Sequence, residues 1–223
     1  SIALYKQYAN KTIDQINRAG LLPIMCGGTG HWIDAVIYNE SLPEVPGNQT
    51  IRDQLHQKST EALYTELTRL DPERAKNIDS HNRRRLIRAL EINLISGKPV
   101  PQVIRSSRYD VLWIGMQTDK ERLQENIKSR LRTRLDAGMI DEVKRLHENG
   151  ISWERLEEFG LEYKYCSLVL QNKLSETELF DHLFIAIKQY AKRQMTWFKR
   201  NKEINWIENE SEAAVLITKF LQK

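Results

Sequence analysis

A short uninterrupted apolar run, Leu21-Leu22-Pro23-Ile24-Met25-Cys26, lies between Gly20 and the turn Gly27-Gly28-Thr29-Gly30, and it constrains the fold more than any other segment. A run of that length bounded by glycine reads as a buried strand, most easily in a parallel sheet. Upstream, Tyr5, Tyr8, Ala9, Ile13 and Ile16 recur at helical spacing, and Gly20 ends the pattern. Downstream, His31-Trp32-Ile33-Asp34-Ala35-Val36 reads as helix. Helix, strand, glycine turn and helix make an α/β crossover. Val111 to Met116 is a second buried-strand candidate, and Ile204-Asn205-Trp206-Ile207 a short third.

From about Ser41 to Val103 the pattern changes. Pro43, Pro46 and Gly47 break the chain, and two helical patterns follow, Ile51 to Leu70 and about Asn82 to Ile95, the second ended by Gly97 and Pro99. With no strand evident inside it, this stretch reads as a helical insertion, 41–103, in a core built from 1–40 and 104–223. Further helices are expected at Lys120 to Ala137, Ile140 to Glu148, around Tyr163 to Gln171, Thr177 to Lys199 and Ala213 to Leu221.

At 223 residues the chain suits one large domain, or one domain carrying an insertion. No apolar run reaches the roughly 18 residues of a membrane helix, and no signal peptide opens the sequence. Cys26 and Cys166 lie far apart without a C-x-x-C partner, so reduced cytosolic thiols are the reading rather than a disulfide framework or a zinc site. The five histidines show no ligand spacing. Thirty-four basic residues against thirty acidic ones leave +4, so the placement of the cations matters more than their sum.

Four segments can carry chemistry. Glycines after a strand and before a helix let backbone N–H groups face an anion, but Gly27-Gly28-Thr29-Gly30 has neither the Walker A lysine nor Rossmann spacing, and a plain turn explains it as well. Arg83-Arg84-Arg85 and Arg88 crowd one helix start; without context such a charge run reads as a solvated face. In Lys120 to Arg134 the stripe Leu123, Ile127, Leu131, Leu135 makes an amphipathic helix, with Arg130 at the edge of the stripe. In Lys188 to Arg200, Tyr190 and Trp197 recur at seven residues, as do Lys192 with Lys199 and Arg193 with Arg200. Basic residues interleaved with aromatics suit an RNA backbone with unstacked bases nearby, while a packed face beside a solvated one accounts for the aromatics equally.

Together these segments resemble the tRNA dimethylallyltransferases (tRNA isopentenyltransferases). Pro23-Ile24-Met25-Cys26-Gly27-Gly28-Thr29-Gly30 is similar to the family's P-I-hydrophobic-hydrophobic-G-G-T-G block. Asp71-Pro72 with Ala75, then Asn82 through Glu91 and Ser96-Gly97-Lys98-Pro99, resembles its D-P…A and R-R-x-x-R-A-L-E…S/T-G-K-P blocks. Tyr190-Ala191-Lys192-Arg193-Gln194-Met195-Thr196-Trp197-Phe198 resembles Y-A-K-R-Q-x-T-W-F. Four blocks in order over nearly the whole chain make the likeness specific. His31-Trp32 replaces the usual Leu-Tyr, and Glu162 stands where an I-G-Y-K/R pattern carries glycine. The family's P-loop, G-P-T-x-x-G-K-S/T, and its D-S-x-Q segment with the general base do not occur in this sequence.

The resemblance implies a P-loop NTPase-like α/β core with a parallel sheet, incomplete at the N-terminus, a mostly helical insertion and a helical C-terminal region. It implies transfer of the dimethylallyl group of dimethylallyl diphosphate to the exocyclic amine of an adenine beside the anticodon, with Mg²⁺ accompanying the diphosphate. By the same likeness Arg130 contacts the leaving diphosphate together with Gly28, and Thr29 lines the reaction channel and touches tRNA. Arg52, Arg84, Arg85, Arg88, Tyr163, Lys164, Lys192 and Arg193 would hold the anticodon stem-loop. The expectation is a cytoplasmic monomer without membrane contact that lacks turnover by itself. The rival readings are a non-catalytic RNA-binding module using the same basic helices, and a helical interaction protein.

Overall fold

The structure is a computed structural model, and it describes residues 2–40, 43 and 45–222. The chain divides into two compact units, Ser1–Cys26 with His31–Asp110, and Gly27–Gly30 with Val111–Lys223. That boundary differs from the expected one, since most of the first forty residues group with the helical segment that follows them.

The first unit is helical. Helix α1 (Ile2–Arg18) has the expected extent. It is tied down by Tyr5 against Trp32, ring centroids 4.6 Å apart, and by Tyr109 donating to Asn10 Oδ1 at 3.1 Å. Helix α2 (Gly30–Ile37) follows the glycine turn. The pattern at 51–70 resolves into α3 (Gln49–His56) and α4 (Thr60–Leu70), because the side chains of Asn48 and Ser59 each accept a first-turn N–H and start a new helix. Asp71 ends α4 and caps α5 (Pro72–Asn77), and its buried carboxylate also accepts from Val100 N at 2.6 Å. Helix α6 (Arg83–Ser96) supplies Leu86, Ile87, Ala89 and Leu90 to a core shared with Leu55, Leu63, Leu67 and Ala75.

Leu21 to Cys26 is not a strand. Leu21, Leu22 and Ile24 are 66%, 48% and 81% exposed, and among the described residues no ladder reaches them. A strand forms only where a neighbour supplies the opposing N–H and C=O groups, and apolar composition does not create that edge.

In the second unit the two remaining strand expectations meet each other. Strands β1 (Ile114–Met116) and β2 (Asn205–Ile207) pair in parallel, Ile114 opposite Asn205 and Met116 opposite Ile207. The α/β class therefore holds, with a sheet much smaller than the helical part. Around it run α7 (Lys120–Asp136), α8 (Met139–Glu148), α9 (Trp153–Glu158), α10 (Leu161–Leu170), α11 (Glu176–Phe198) and α12 (Glu210–Leu221). Ile127 and Leu131 of the leucine stripe on α7 are buried, in a core with Val143, Leu156, Cys166, Leu179, Leu183 and Ile187. A capping box, Ser175 with Glu178, opens α11. No described helix is long and apolar enough to cross a membrane.

Candidate functional site

Helix α11 grips the glycine turn with three side chains spaced at i, i+4 and i+7. These residues share one helix face. Gln194 Nε2 donates to the Gly28 carbonyl at 2.8 Å, Tyr190 Oη lies 3.4 Å from Thr29 Oγ1, and Trp197 lies against Gly30. The approach is close enough to explain the glycines. A Cβ on Gly28 would stand 2.2 Å from Gln194 Nε2, and one on Gly30 would stand 2.1 Å from Trp197 Cδ1. Thr29 is left exposed between its two anchored neighbours. Gly28, expected to face diphosphate, has its carbonyl pinned to α11.

One cation within α11 and one just past its end stack on those aromatics. Arg193 lies over the Tyr190 ring at 5.7 Å and Arg200 over Trp197 at 4.2 Å, with Lys192 and Arg193 exposed. Helix α7 packs on α11. Along α7, Lys128 pairs with Glu125 and lies over Phe184, Arg132 lies over Phe180, and Arg134 pairs with Glu162. Arg130 is exposed and has no partner among the described residues. Tyr163 donates to Glu142 at 2.6 Å, and that hydrogen bond, with partial burial, raises its phenol above the usual range. Lys164 is exposed.

In the other unit the arginines divide. Glu91 is fully buried; Arg52 reaches it at 2.9 and 3.1 Å, Arg88 at 2.5 Å and Asn48 N at 2.7 Å. Burial alone would raise this carboxyl, but the hydrogen bonds from Arg52, Asn48 and Arg88 hold it below the ordinary range. Arg88 also donates to Val45 O at 2.8 Å, and Arg83 to the last turn of α3 at His56 O, 2.6 Å. Arg52 and Arg88, expected as RNA contacts, are thus bound to a buried carboxylate. Arg84 and Arg85 are exposed without partners among the described residues.

The residues singled out from sequence as site candidates do not include Gln194, Trp197 or Glu91. An acid between the apolar residues Leu90 and Ile92 marked Glu91, and the four- and three-residue steps from Tyr190 marked the other two. Among the described residues no group of three or more His, Cys, Asp or Glu is arranged to hold a metal ion.

Comparison with known proteins bears on this arrangement. The profile of a family described as IPP transferase matches residues 1–201. The tRNA dimethylallyltransferase 1 of Syntrophus aciditrophicus is 39% identical over 219 residues, 95% of this chain and 71% of the relative. That of Parabacteroides distasonis is 41% identical over 202 residues, 89% of this chain and 66% of the relative. The solved full-length tRNA isopentenylpyrophosphate transferase of Bacillus halodurans covers all of this chain, with 73% of its own length matched, at TM-score 0.67 and 29% identity. A eukaryotic dimethylallyltransferase acting on tRNA, at TM-score 0.77 and 20% identity, shares the fold over 62% of its length.

Proposed function

The chain belongs to the IPP transferase family, and from that premise we propose that it serves transfer of a dimethylallyl group from dimethylallyl diphosphate to a tRNA adenine next to the anticodon. The adenine must leave the anticodon stack to react. Its exocyclic nitrogen attacks the allylic carbon, the carbon–oxygen bond breaks, and the electron pair leaves with the diphosphate while the amine gives up a proton.

The observation that carries this reading is the turn at Gly28 to Gly30 held on a helix whose flank bears exposed cations. Thr29 stands at the reacting adenine. Lys192, Arg193 and Lys164 engage phosphates of the anticodon stem-loop; Arg84 and Arg85, on the other unit, are RNA-phosphate contacts of that unit by itself. Arg130, the exposed guanidinium on α7, takes the charge that gathers on the departing diphosphate; its planar fork suits two phosphate oxygens. Gly28 places Thr29 through its pinned carbonyl, and its backbone N–H is the group that meets the diphosphate. Arg52 and Arg88 serve by holding Glu91, which orients α6 so that Arg84 and Arg85 face outward.

Equilibrium binding tests this with the full chain. Wild type should bind an anticodon stem-loop with affinity falling steeply as salt rises, and bind dimethylallyl diphosphate. Arg130→Ala should weaken the diphosphate at least tenfold and leave the stem-loop unchanged. Equal diphosphate affinity in the two proteins would remove Arg130 from the site, and stem-loop binding without any diphosphate binding would favour a non-catalytic RNA-binding module.

A further inference from the structure

A half-open recess of about 340 Å³, bordered by α7, α8, α10 and Phe159 at the end of α9, is not used by the arrangement above. Its lining includes Met139, Phe159, Tyr163, Glu142, Glu162 and Arg134. Phe159 is 44% exposed, meets Tyr163 edge-on with centroids 5.6 Å apart, and is backed by the Arg155 guanidinium at 5.2 Å. Arg134 is paired with one oxygen of Glu162, and Tyr163 donates to one oxygen of Glu142, so each carboxylate keeps a second oxygen for a ligand.

That chemistry excludes an anionic ligand. Two carboxylates against one guanidinium, itself already paired, repel a phosphate or diphosphate. The half-exposed Phe159 ring beside two carboxylate acceptors suits a flat ligand with N–H donors on its edge. We propose that this pocket receives one unpaired nucleobase of the bound RNA, stacked on Phe159, with its N–H groups accepted by Glu142 and Glu162; guanine, with two adjacent donors, fits best. The inference rests on the tRNA reading above and deepens it. Glu162 stands where the family pattern carries glycine, so this acceptor distinguishes the chain from that pattern.

Two measurements on the full chain separate the failure of this inference from failure of the tRNA reading. In the first, guanosine is titrated while the ring resonances of Phe159 and Tyr163 are followed. A saturable shift is expected, at least fivefold weaker with uridine, weakened in Glu162→Gly and absent in Phe159→Ala. No saturable shift, or one of equal affinity in Phe159→Ala, overturns the pocket whatever the RNA does. In the second, stem-loops with one loop nucleotide made abasic in turn are bound to wild type and Phe159→Ala. Loss of one stacked base weakens binding about tenfold, and at one loop position the two changes should not add. Additive losses at every position overturn the assignment to a loop base. Guanosine binding without stem-loop binding would instead sink the tRNA reading and leave the pocket a nucleoside site.

Discussion

Gln194 donates its side-chain amide to the backbone carbonyl of Gly28, 166 residues earlier in the chain, at 2.8 Å. The same helix face sets Trp197 against Gly30, so the turn bearing Thr29 is fixed at both ends by residues far away in sequence.

Replacing these glycines should therefore have unequal costs. In Gly28→Ala the new methyl displaces the flexible end of Gln194 and breaks one hydrogen bond, a loss of about 1 kcal/mol. In Gly30→Ala it meets the Trp197 indole, and overpacking of that kind costs about 1–3 kcal/mol. Denaturant unfolding reads both. Combined with Gln194→Ala, Gly28→Ala should cost almost nothing more; additive costs would show that the two residues do not compete for one space.

Glu91→Ala removes the buried acceptor shared by Arg52 and Arg88, whose own side chains are 40% and 38% exposed and can turn to water, so the loss is that of charged hydrogen bonds, about 1.5–3 kcal/mol. The sign of the pH effect follows from the lowered carboxyl. A group whose folded pKa lies below its unfolded value of 4.5 contributes stability above pH 4.5, and that stability fades as pH falls through the folded value. Thermal melts of wild type and Glu91→Gln from pH 7 to pH 3 should converge towards the acid end. A constant gap in melting temperature would show that Glu91 is not charged in the fold.

The arginines of α6 should separate by assay. Arg84→Ala, and independently Arg85→Ala, should lower stem-loop affinity and reduce the slope of log K against log salt by about 0.7–0.9 for each phosphate left without its cation. Arg52→Ala should lower the melting temperature. An unaltered melting temperature in Arg52→Ala, with a smaller salt slope, would return that residue to the RNA surface.

The two thiols should differ in reactivity. Cys166 is buried and its thiol is pushed up to about 11, chiefly by burial and then by the nearby Glu162 and Glu142 charges. Cys26 is exposed. Since thiolate is the nucleophile, iodoacetamide at pH 8 should label one thiol in the folded chain and two after denaturation. Labelling of Cys166 in the folded chain would mean that the core around Val143 and Leu156 opens.

Much of this was legible in the residues themselves. The helices from α6 to α12 that were expected lie within a few residues of their predicted spans, because caps such as Asn82 and Ser175 and the stripe from Leu123 to Leu135 act within a few turns of chain. The motif order alone pointed to the family. Helix α9 went unread, since six residues give too short a period to register.

Sequence by itself determined most of the longer helical segments and that cations and aromatics alternate along α11, since neighbours on one helix need no distant partner. Tertiary structure alone decided which cations are available. Arg52 on α3 lies 39 residues before Glu91 on α6, and nothing beside it in sequence says that it meets a buried carboxylate. Tertiary structure also left Leu21 to Cys26 without a ladder and turned the glycines at 28 and 30 into close-contact positions. The physical reason is the same in each case: the availability of an arginine, a strand edge or a Cβ site depends on what a remote part of the chain brings within a few ångströms.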